Sequence, residues 1–336
     1  MNYCILGAGA WGTAIAIHLA RNGQSTTLVP RRYEQALKFA SARTNDTYLP
    51  GHPFPPDLQI AAETKPALLE AEVILLACPI AGLPEATQKL LKALPTAQQA
   101  HTTLTLCKGW EPHENLSPAD YIRKKLPEGH HTGVLSGPNN AQEVAAGKPA
   151  AILLAHNDDN PHFSEIQKTL SSSAFRVYTS TDVQGVSLAA ALKNVYAIGA
   201  GICSGLQLGD NAVAALLTRS LHEMQKLLTT LGGNPKTLYG LSGFGDLVAT
   251  STGDWSRNRT LGYKIGQGQT VQELLQGQKT VTEGYKTTDT FRKLCIEKQI
   301  EAPILNELHA ILHTGKPPAR ALHDLMTRNL TTEHQK

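Results

Sequence analysis

Residues 3–21 read YCILGAGAWGTAIAIHLAR, and this stretch decides the fold of the N-terminal half. A short apolar run leads into glycines with GxGxxG spacing, and a helical pattern continues to Arg21. In a strand–turn–helix unit of this kind, Gly7 allows the tight turn, Gly9 lets the backbone approach a pyrophosphate, and Gly12 lets helix and strand pack closely. The helix N-terminus offers N–H groups to phosphates. A glycine-rich turn alone is weak evidence, but this position at the start of the chain favours dinucleotide binding.

Six further apolar runs precede residue 180, with helix-like segments between them. They are TTLV (26–29), VILLA (73–77), TLTLC (103–107), TGVLS (132–136), AAILLA (150–155) and FRVYT (175–179). Strands that alternate with helices predict βαβ units and a mostly parallel sheet.

The pattern changes to helical periods after Asp182. The helical stretches cover residues 183–203, 212–231, 256–266, 286–298 and 303–313. We therefore predict an α/β dinucleotide-binding domain over residues 1–182 and a helical domain over residues 183–336. The Pro-rich segment YLPGHPFPPDL (48–58) is interpreted as a surface excursion.

Composition excludes several classes of protein. A chain of 336 residues with 41% hydrophobic content exceeds what one core usually serves, which supports two domains. The 31 basic and 28 acidic residues are spread without runs, so nucleic-acid and membrane-surface binding are not indicated. The five cysteines form no CxxC pair and the apolar start has no cationic leader, which favours reduced thiols and a cytoplasmic location.

The end of the second predicted strand addresses the choice of cofactor. NAD-specific folds usually place an acid there for the ribose 2′-OH, whereas this strand ends in Pro30-Arg31-Arg32. Two guanidinium groups suit a 2′-phosphate through charge-assisted hydrogen bonds, unless both arginines are merely solvated. The sequence predicts that NADP(H) is preferred and that NAD(H) is possible.

Lys193 is the only charged residue between Asp182 and Asp210, in the stretch VQGVSLAAALKNVYAIGAGICSGLQLG. Burial disfavours the charged form of an amine unless a partner compensates. A lysine in this setting is a candidate general acid or base, although a helix lysine that reaches solvent is the plainer alternative. The polar and glycine content of the stretch is poor for a bilayer span.

Two predicted strands end in polar residues. Lys108 follows TLTLC, and Ser136-Gly137-Pro138-Asn139 follows TGVLS. Ligands of doubly wound folds gather at the carboxyl ends of parallel strands, so these residues are candidates for substrate binding. Lys108 as an ordinary surface lysine is the alternative.

A helix start and a glycine-rich turn complete the candidate site. In GDWSRNR (253–259), Asp254 is expected to cap a helix, with Ser256, Arg257 and Asn258 in the first turn as a phosphate site. An ordinary capped helix with exposed arginines is the alternative. Asp246 lies in GLSGFGDL (240–247), where it either pairs with Lys193 or bonds to its own backbone.

Seven separate motifs resemble one family. They are GAGAWGTA (7–14), CKG (107–109), SGPNNAQEVAAG (136–147), ALKNVYAIGAG (191–201), GLSGFGDL (240–247), SRNR (256–259) and TEGY (282–285). Together they resemble the NAD(P)-dependent glycerol-3-phosphate dehydrogenases of the bacterial type, in the same order over nearly the whole chain. The resemblance implies a Rossmann-like domain followed by an all-α domain. It also implies reversible reduction of dihydroxyacetone phosphate to sn-glycerol 3-phosphate, which feeds phospholipid synthesis.

The resemblance also implies roles for single residues. Lys193 matches the catalytic lysine of the family. Substrate-binding positions match Lys108, Gly137, Asn139, Lys193, Asp246, Ser256, Arg257 and Asn258. Cofactor-binding positions match Ala10, Trp11, Arg31, Arg32, Lys108, Ala141, Arg257, Val281 and Glu283, in addition to Gly7, Gly9 and Gly12. No metal is implied, and a homodimer is plausible.

The chain departs from the family pattern at three places. Many relatives have an aromatic residue at the position of Asn140 and Ser or Thr at that of Asn139, which alters the wall beside the substrate. Pro30 reshapes the loop beside the cofactor ribose. A β-hydroxyacid dehydrogenase of the 6-phosphogluconate type is a rival interpretation, but it does not explain SRNR after GFGD. A second rival interpretation is a dinucleotide sensor without catalytic activity.

Overall fold

The computed structural model of the chain describes residues 1–94, 102–157, 160–276, 282–330 and 332–333. The chain divides into two compact units. Unit 1 combines Met1–Ala191 with Leu231–Asp246, and unit 2 combines Leu192–Thr230 with Leu247–Lys336. The boundary predicted between residues 182 and 183 separates expected functions and not compact units, and it stays a prediction.

Unit 1 is built on a sheet that has eight strands within the described residues. The strands are β1 (Asn2–Leu6), β2 (Ser25–Val29), β3 (Leu58–Ile60), β4 (Val73–Leu76), β5 (Thr102–Thr105), β6 (His131–Ser136), β7 (Ala150–His156) and β8 (Phe175–Ser180). Their order is β3-β2-β1-β4-β5-β6-β7-β8, and all neighbours are parallel except β6 and β7. The seven predicted runs are confirmed as strands, and so is the Rossmann-like class.

The apolar strands have a simple origin, because helices cover both faces of the sheet. These helices are α1 (Ala10–Arg21), α2 (Tyr33–Ala42), α3 (Thr64–Leu69), α4 (Leu83–Ala93), α5 (Pro118–Lys125), α6 (Ala141–Ala145) and α7 (Pro161–Leu170). In β1, Tyr3 and Ile5 pack with residues of α1, α2, α6 and α7, whereas Cys4 and Leu6 pack with α3, α4 and α5. Since successive side chains of a strand point to opposite faces, a strand buried on both sides must be apolar throughout.

The Pro-rich segment is not a simple surface excursion, and that interpretation is wrong in part. Leu49 and Phe54 are buried in the core of unit 1, and Leu58 begins β3. The ring of Phe54 meets Phe39 of α2 edge to face, with ring centroids 5.9 Å apart. Strand β3 was not predicted, because only three of its residues pair with β2 and the prolines before it argue against a strand.

Residues 231–246 return to unit 1 and carry Asp246 with them. A 3-10 turn at Pro235–Tyr239 is followed by a π-helical turn at Leu241–Gly245. Asp182 anchors the segment through its Oδ2 atom, which accepts a hydrogen bond of 2.9 Å from the backbone N–H of Asn234 and one of 2.5 Å from the Thr237 hydroxyl.

Helices make up the rest of the described chain. They are α8 (Val183–Gly205), which begins in unit 1, and α9 (Asp210–Thr230), α10 (Asp246–Thr252), α11 (Arg257–Gly266), α12 (Val271–Gln276), α13 (Glu283–Glu297), α14 (Pro303–Thr314) and α15 (Pro318–Met326). The five predicted helices are confirmed, and α10, α12 and α15 were missed. Two of the missed helices have only six or seven residues, and the third opens behind two prolines, which are compatible with a helix only at its start.

Helices α8 and α11 approach each other through glycines. A Cβ atom on Gly201 or Gly205 of α8 would collide with the backbone of Arg259 or Tyr263 in α11. A Cβ atom on Gly262 or Gly266 of α11 would likewise meet backbone atoms of α8. The two helix backbones are therefore in direct contact.

Helix α8 is long and apolar enough to cross a membrane, yet its most apolar window is entirely buried inside the protein. The core helix of a soluble protein passes the same test of length and composition. Burial of this helix fits the prediction of no membrane span.

Glu223 of α9 is a buried carboxylate that joins three helices of unit 2. It accepts hydrogen bonds from the backbone N–H groups of Ile304 (2.6 Å) and Leu305 (3.1 Å) at the start of α14, and from the hydroxyl of Tyr196 in α8 (3.1 Å). Burial nevertheless raises the pKa of Glu223 from 4.5 to about 7, because loss of hydration outweighs these bonds.

We expect Glu223→Gln to remove one component of the pH dependence of stability. Between pH 4.5 and 7 the folded protein holds a proton on Glu223 that the unfolded chain has lost, so the contribution of Glu223 falls as pH rises through this window. The free energy of unfolding of the parent minus that of the variant should fall by about 2 kcal/mol across the window. Urea titrations at both ends measure it, with exposed Glu297→Gln as control, and a constant difference would contradict the assignment.

Candidate active site

The turn between β1 and α1 requires two of its glycines. Gly7 has a φ of +118°, and a Cβ atom there would collide with the carbonyl of Ala77 at the end of β4. A Cβ atom on Gly12 would collide with the carbonyl of Gly7 and lie 2.8 Å from Cβ of Ala77. The turn, the helix and the neighbouring strand are packed as closely as the glycine pattern predicts.

Gly9 leaves room for a ligand at the same turn. A Cβ atom on Gly9 would meet nothing within 4 Å, and Gly9 is the N-cap of α1 without a side-chain cap. Since the first N–H groups of a helix have no intrahelical acceptor, this cradle fits the pyrophosphate of a dinucleotide. Ala10 opens the helix, and Nε1 of the next residue, Trp11, is buried without a hydrogen-bond partner among the described residues.

Asn45 supports this turn, and sequence reasoning missed it. Its side-chain Nδ2 donates to the carbonyl of Ala8 at 3.0 Å and to the hydroxyl of Thr13 at 2.7 Å, and the residue is fully buried. A buried amide with two acceptors holds the glycine turn in one conformation. Nothing in the spacing of the motif identifies Asn45, because it lies more than thirty residues away.

Arg31 and Arg32 lie at the carboxyl end of β2, and both are exposed. The guanidinium of Arg31 bonds to Glu85 of α4 at 2.7 Å, and Glu85 also pairs with Lys89. Exposed ion pairs of this kind contribute little, so a phosphate can compete for Arg31. Arg32 is the N-cap of α2.

Lys108 is the centre of a polar cluster in unit 1. Its amine donates to the carbonyl of Gly137 (2.8 Å), to Oδ1 of Asn139 (2.7 Å) and to Oδ2 of Asp246 (2.8 Å). Strands β5 and β6 bring Lys108, Gly137 and Asn139 to one edge of the sheet, as predicted. The other amide atom of Asn139, Nδ2, is buried and has no hydrogen-bond partner within the part of the chain that the structure describes.

Asp246 gains its position from a π-helical turn, where a plain glycine-rich turn was expected. The turn ends at Gly245, which packs on Pro138, and Asp246 then opens α10 with its side chain fully buried. Lys108 is therefore a partner of Asp246 that sequence reasoning did not assign. Single π-helical turns occur often at functional sites.

Asn140, one of the departures from the family pattern, has a local role. Its side chain caps α6 by accepting a hydrogen bond of 2.9 Å from the backbone N–H of Gln142. Ala141 is the first residue of this helix. An aromatic side chain at this position could not accept this hydrogen bond. Asn140 in place of the aromatic residue of many relatives therefore changes the wall beside Asn139 and provides a cap for α6.

Lys193 is buried in α8, with 4% of its surface exposed. Its amine donates a hydrogen bond of 2.7 Å to the hydroxyl of Thr250, which is also buried. Thr250 lies four residues after Asp246 in α10, so the two side chains share one face of that helix. The i, i+4 spacing is a signal in the sequence, but only after α10 is known to be a helix.

The start of α11 forms the second predicted cluster. Ser256 is its N-cap and accepts from the backbone N–H of Arg259 at 3.2 Å. The expectation that Asp254 caps the helix is wrong, because Asp254 lies two residues too early and its exposed carboxylate pairs with Arg259 instead. The backbone N–H groups of Arg257 and Asn258 precede the first intrahelical donor and face outward from the helix start.

The side chain of Asn258 is occupied in holding helices together. Its Nδ2 donates to Oδ1 of Asn194 in α8 (2.9 Å), and its Oδ1 accepts from the backbone N–H of Gly284 in α13 (3.0 Å). Glu283 opens α13 and is close enough to Arg257 for their charges to interact. Val281, the remaining predicted cofactor residue, lies outside the described residues.

Two family models together match most of the chain. Residues 2–161 match the N-terminal domain of NAD-dependent glycerol-3-phosphate dehydrogenase, and residues 182–323 match its C-terminal domain. The first match contains the glycine turn and Lys108, and the second contains Lys193 and the start of α11.

Individual proteins agree with these matches. A glycerol-3-phosphate dehydrogenase [NAD(P)+] from Thiobacillus denitrificans is 41% identical over 99% of this chain and 100% of its own length. The crystal structure of glycerol-3-phosphate dehydrogenase from Coxiella burnetii superposes with a TM-score of 0.91 at 36% identity, over 97% of this chain and 99% of that one. A Plasmodium falciparum structure of the same name, at 21% identity and a TM-score of 0.88, shows the shared fold over 99% of this chain and 97% of that one. The chain belongs to the NAD-dependent glycerol-3-phosphate dehydrogenase family.

Proposed function

We propose that this chain catalyses the reversible, NAD(P)H-dependent reduction of dihydroxyacetone phosphate to sn-glycerol 3-phosphate. The observation that carries the proposal is the buried amine of Lys193, bonded to Thr250 in the same unit as the cationic start of α11. Reduction of a ketone places negative charge on its oxygen and then a proton, and a lysine can supply both needs. Lys193 is therefore the proton donor in reduction and the acceptor in oxidation.

The phosphate of the substrate is proposed to bind at the start of α11. Two backbone N–H groups, those of Arg257 and Asn258, and the guanidinium of Arg257 provide charge-assisted hydrogen bonds to a dianion. Ser256 shapes the site as N-cap. Since the amide of Asn258 is used by Asn194 and Gly284, its contribution to binding is its backbone N–H.

Arg257→Ala is expected to raise the KM for dihydroxyacetone phosphate by about tenfold to a hundredfold, because one charged partner of the phosphate is lost. Turnover of phosphate-free dihydroxyacetone, although slow, should change far less. Arg259→Ala removes a guanidinium from the same helix and is the matched control. Equal losses on both substrates would remove Arg257 from the phosphate site.

We propose that Lys108, Asn139 and Asp246 also bind the substrate, as the family resemblance implies. Lys108 contributes positive charge, since its three N–H groups donate to Gly137, Asn139 and Asp246, and Asn139 contributes the unpaired donor Nδ2. Gly137 holds Lys108 through its carbonyl, and its φ of +134° keeps the strand end close to β7. The cluster thereby orients the substrate before charge develops.

The cofactor is proposed to bind at the glycine turn. When bound, the nicotinamide supplies the hydride. Gly7, Gly9, Ala10, Trp11 and Gly12 provide the cradle for the pyrophosphate. Further contacts are proposed for Arg31, Arg32, Lys108, Ala141, Arg257, Val281 and Glu283, as the family resemblance implies.

Arg31→Glu is expected to lower the ratio of kcat/KM for NADPH to that for NADH by about tenfold, because a 2′-phosphate loses one charged partner and gains a repelling one. Lys38→Glu changes the net charge equally on the exposed face of α2 and is the control. Initial rates with each cofactor give the ratio. An unchanged ratio would mean that Arg31 does not read the 2′-phosphate.

A single assay tests the reaction itself. Absorbance of the reduced nicotinamide should fall on addition of dihydroxyacetone phosphate to enzyme and NADPH, and it should rise with NADP+ and sn-glycerol 3-phosphate. Oxidation of 6-phosphogluconate or other hydroxy acids in preference would favour the rival dehydrogenase. Binding of NADPH without turnover of any of these compounds would favour a sensor.

We further propose the cellular setting that the family resemblance implies. The product supplies glycerophospholipid synthesis, and the enzyme is a cytoplasmic homodimer with a small molecule as its substrate. Residues 1–182 bind the dinucleotide and residues 183–336 hold the proton donor and the phosphate site. The gap between the two matched family models, at residues 162–181, supports this functional boundary.

A further inference from the structure

Two cysteines stand side by side at the carboxyl edge of the sheet. Strands β4 and β5 are parallel neighbours whose ladder ends with the pair Leu76 and Thr105. Cys78 and Cys107 each follow by two residues, so they occupy the next matching positions on the same face. Their sulfur atoms are 3.7 Å apart, and Sγ of Cys107 donates to the carbonyl of Cys78 at 2.9 Å.

This geometry suits a disulfide. Adjacent strands lie about 4.8 Å apart, which falls within the Cα separation that disulfides span. The sulfur atoms must approach by roughly 1.6 Å to bond, which side-chain rotation and a small strand shift can supply. Cys78 is partly exposed and Cys107 is buried. A small oxidant can therefore reach the Cys78 thiol, and the Cys107 thiol lies next to it.

The other three cysteines are poor competitors for an oxidant. Burial raises the pKa of the Cys4 thiol to about 12 and that of Cys295 to about 11, and it also raises the pKa of Cys203. Since the thiolate is the reactive form, these sulfurs react slowly. The partial exposure of Cys78 and the sulfur of Cys107 3.7 Å away favour oxidation at the adjacent pair.

The two cysteines are sequence neighbours of the Lys108 cluster and of the residue that packs on the glycine turn. Cys107 precedes Lys108, whose amine holds Gly137, Asn139 and Asp246. Cys78 follows Ala77, on which Gly7 and Gly12 are packed. A bond between the two sulfurs therefore pulls on the substrate cluster and on the glycine turn together.

We propose that Cys78 and Cys107 are a modification site, at which a peroxide forms an intramolecular disulfide that lowers dehydrogenase activity. The thiolate of Cys78 attacks one peroxide oxygen, the O–O bond breaks, and water leaves after protonation. Cys107 sulfur then attacks the resulting sulfenic acid, gives up its proton, and expels a second water as the S–O bond breaks. Two thiols and one hydrogen peroxide yield one disulfide and two waters.

The effect on turnover rests on the proposed function, whereas the bond itself does not. Displacement of catalytic groups by ~1 Å can cost up to about a hundredfold in rate. A shift of the end of β5 moves Lys108 by a fraction of that distance. We expect kcat/KM for dihydroxyacetone phosphate to fall about tenfold in the cross-linked protein.

The test uses the purified full-length protein, treated with a small excess of hydrogen peroxide. Free thiols are then alkylated, and peptide mass spectrometry looks for the 78–107 cross-link as a loss of two hydrogen atoms. Activity is measured in parallel, before and after dithiothreitol. Parent protein and Cys203→Ser should form the cross-link and lose activity reversibly. Cys78→Ser and Cys107→Ser should keep their activity under the same treatment.

The two parts of the proposal can fail separately. Oxidation of the parent to sulfinic acid or to other pairings, without the 78–107 cross-link, would overturn the modification site. A complete cross-link with unchanged kcat/KM would overturn its effect on activity. If the protein does not reduce dihydroxyacetone phosphate at all, the mass measurement still decides the first part. The mass measurement is made on the parent protein, so it still tests the modification site if a serine variant fails to fold.

Discussion

Lys193→Ala is expected to lower kcat for dihydroxyacetone phosphate reduction by about 10²–10⁴-fold, which is the range of a lost general acid. The amine is buried in α8 and bonded to Thr250. In the proposed mechanism, the variant loses the positive charge that stabilises the alkoxide and the proton that follows. NADPH binding, measured by fluorescence titration, should be retained, because the glycine turn lies in unit 1.

Two further variants separate charge, proton transfer and position, and a third is a control. Lys193→Arg keeps the charge but does not release a proton near neutral pH, so it should remain severely impaired. Thr250→Val removes the hydroxyl that accepts a hydrogen bond from the amine and should cost roughly tenfold through misorientation. Lys286→Ala, at a lysine that the site does not use, should be near normal. Turnover of Lys193→Ala within a few-fold of the parent would exclude Lys193 from the chemistry.

Asp246→Asn is expected to lower kcat/KM by about a hundredfold, because Asp246 is the anion among the acceptors Gly137, Asn139 and Asp246 of the largely buried Lys108 amine. The carboxylate is fully buried and 2.8 Å from Nζ of Lys108. Asn has the same shape, so the effect reports charge rather than lost packing.

A double-mutant cycle shows whether the two residues act as a unit. Lys108→Gln and Asp246→Asn together should cost little more than the more severe single change, because either one already breaks the pair. Asp289→Asn breaks a surface pair with Lys293 and is the control, with no expected effect. Additive losses would show that Lys108 and Asp246 serve the reaction independently.

The sheet and the long helices were predictable because their causes are local. Apolar runs of four to six residues, such as residues 73–77, are typical of buried strands when helical segments separate them. The glycine turn was predictable residue by residue, since each glycine answers one steric demand. Sequence reasoning also found Lys193, because a single charge in an apolar stretch is visible without any structure.

The partners of these residues were not predictable, because they depend on distant contacts. Lys108 and Asp246 are 138 residues apart, and the π-helical turn that brings Asp246 into unit 1 has no sequence signal beyond its glycines. The roles of Ser256 and Asp254 differ by a shift of two residues in the helix start, which is within the usual uncertainty of helix boundaries. The substrate-binding role of Asn258 stays a prediction, and its side-chain bonds to α8 and α13 had no signal in the sequence.

The glycine contact between α8 and α11 fixes the distance between these two helices of unit 2. Lys193 is carried by one of these helices and Arg257 by the start of the other, and their backbones touch with no side chain between them. Side-chain repacking therefore has little room to change the distance between the proposed proton donor and the proposed phosphate site. If Lys193 and the start of α11 have the roles proposed above, the number of bonds between carbonyl and phosphate is fixed. We therefore expect a phosphorylated ketone one carbon longer to be a poor substrate.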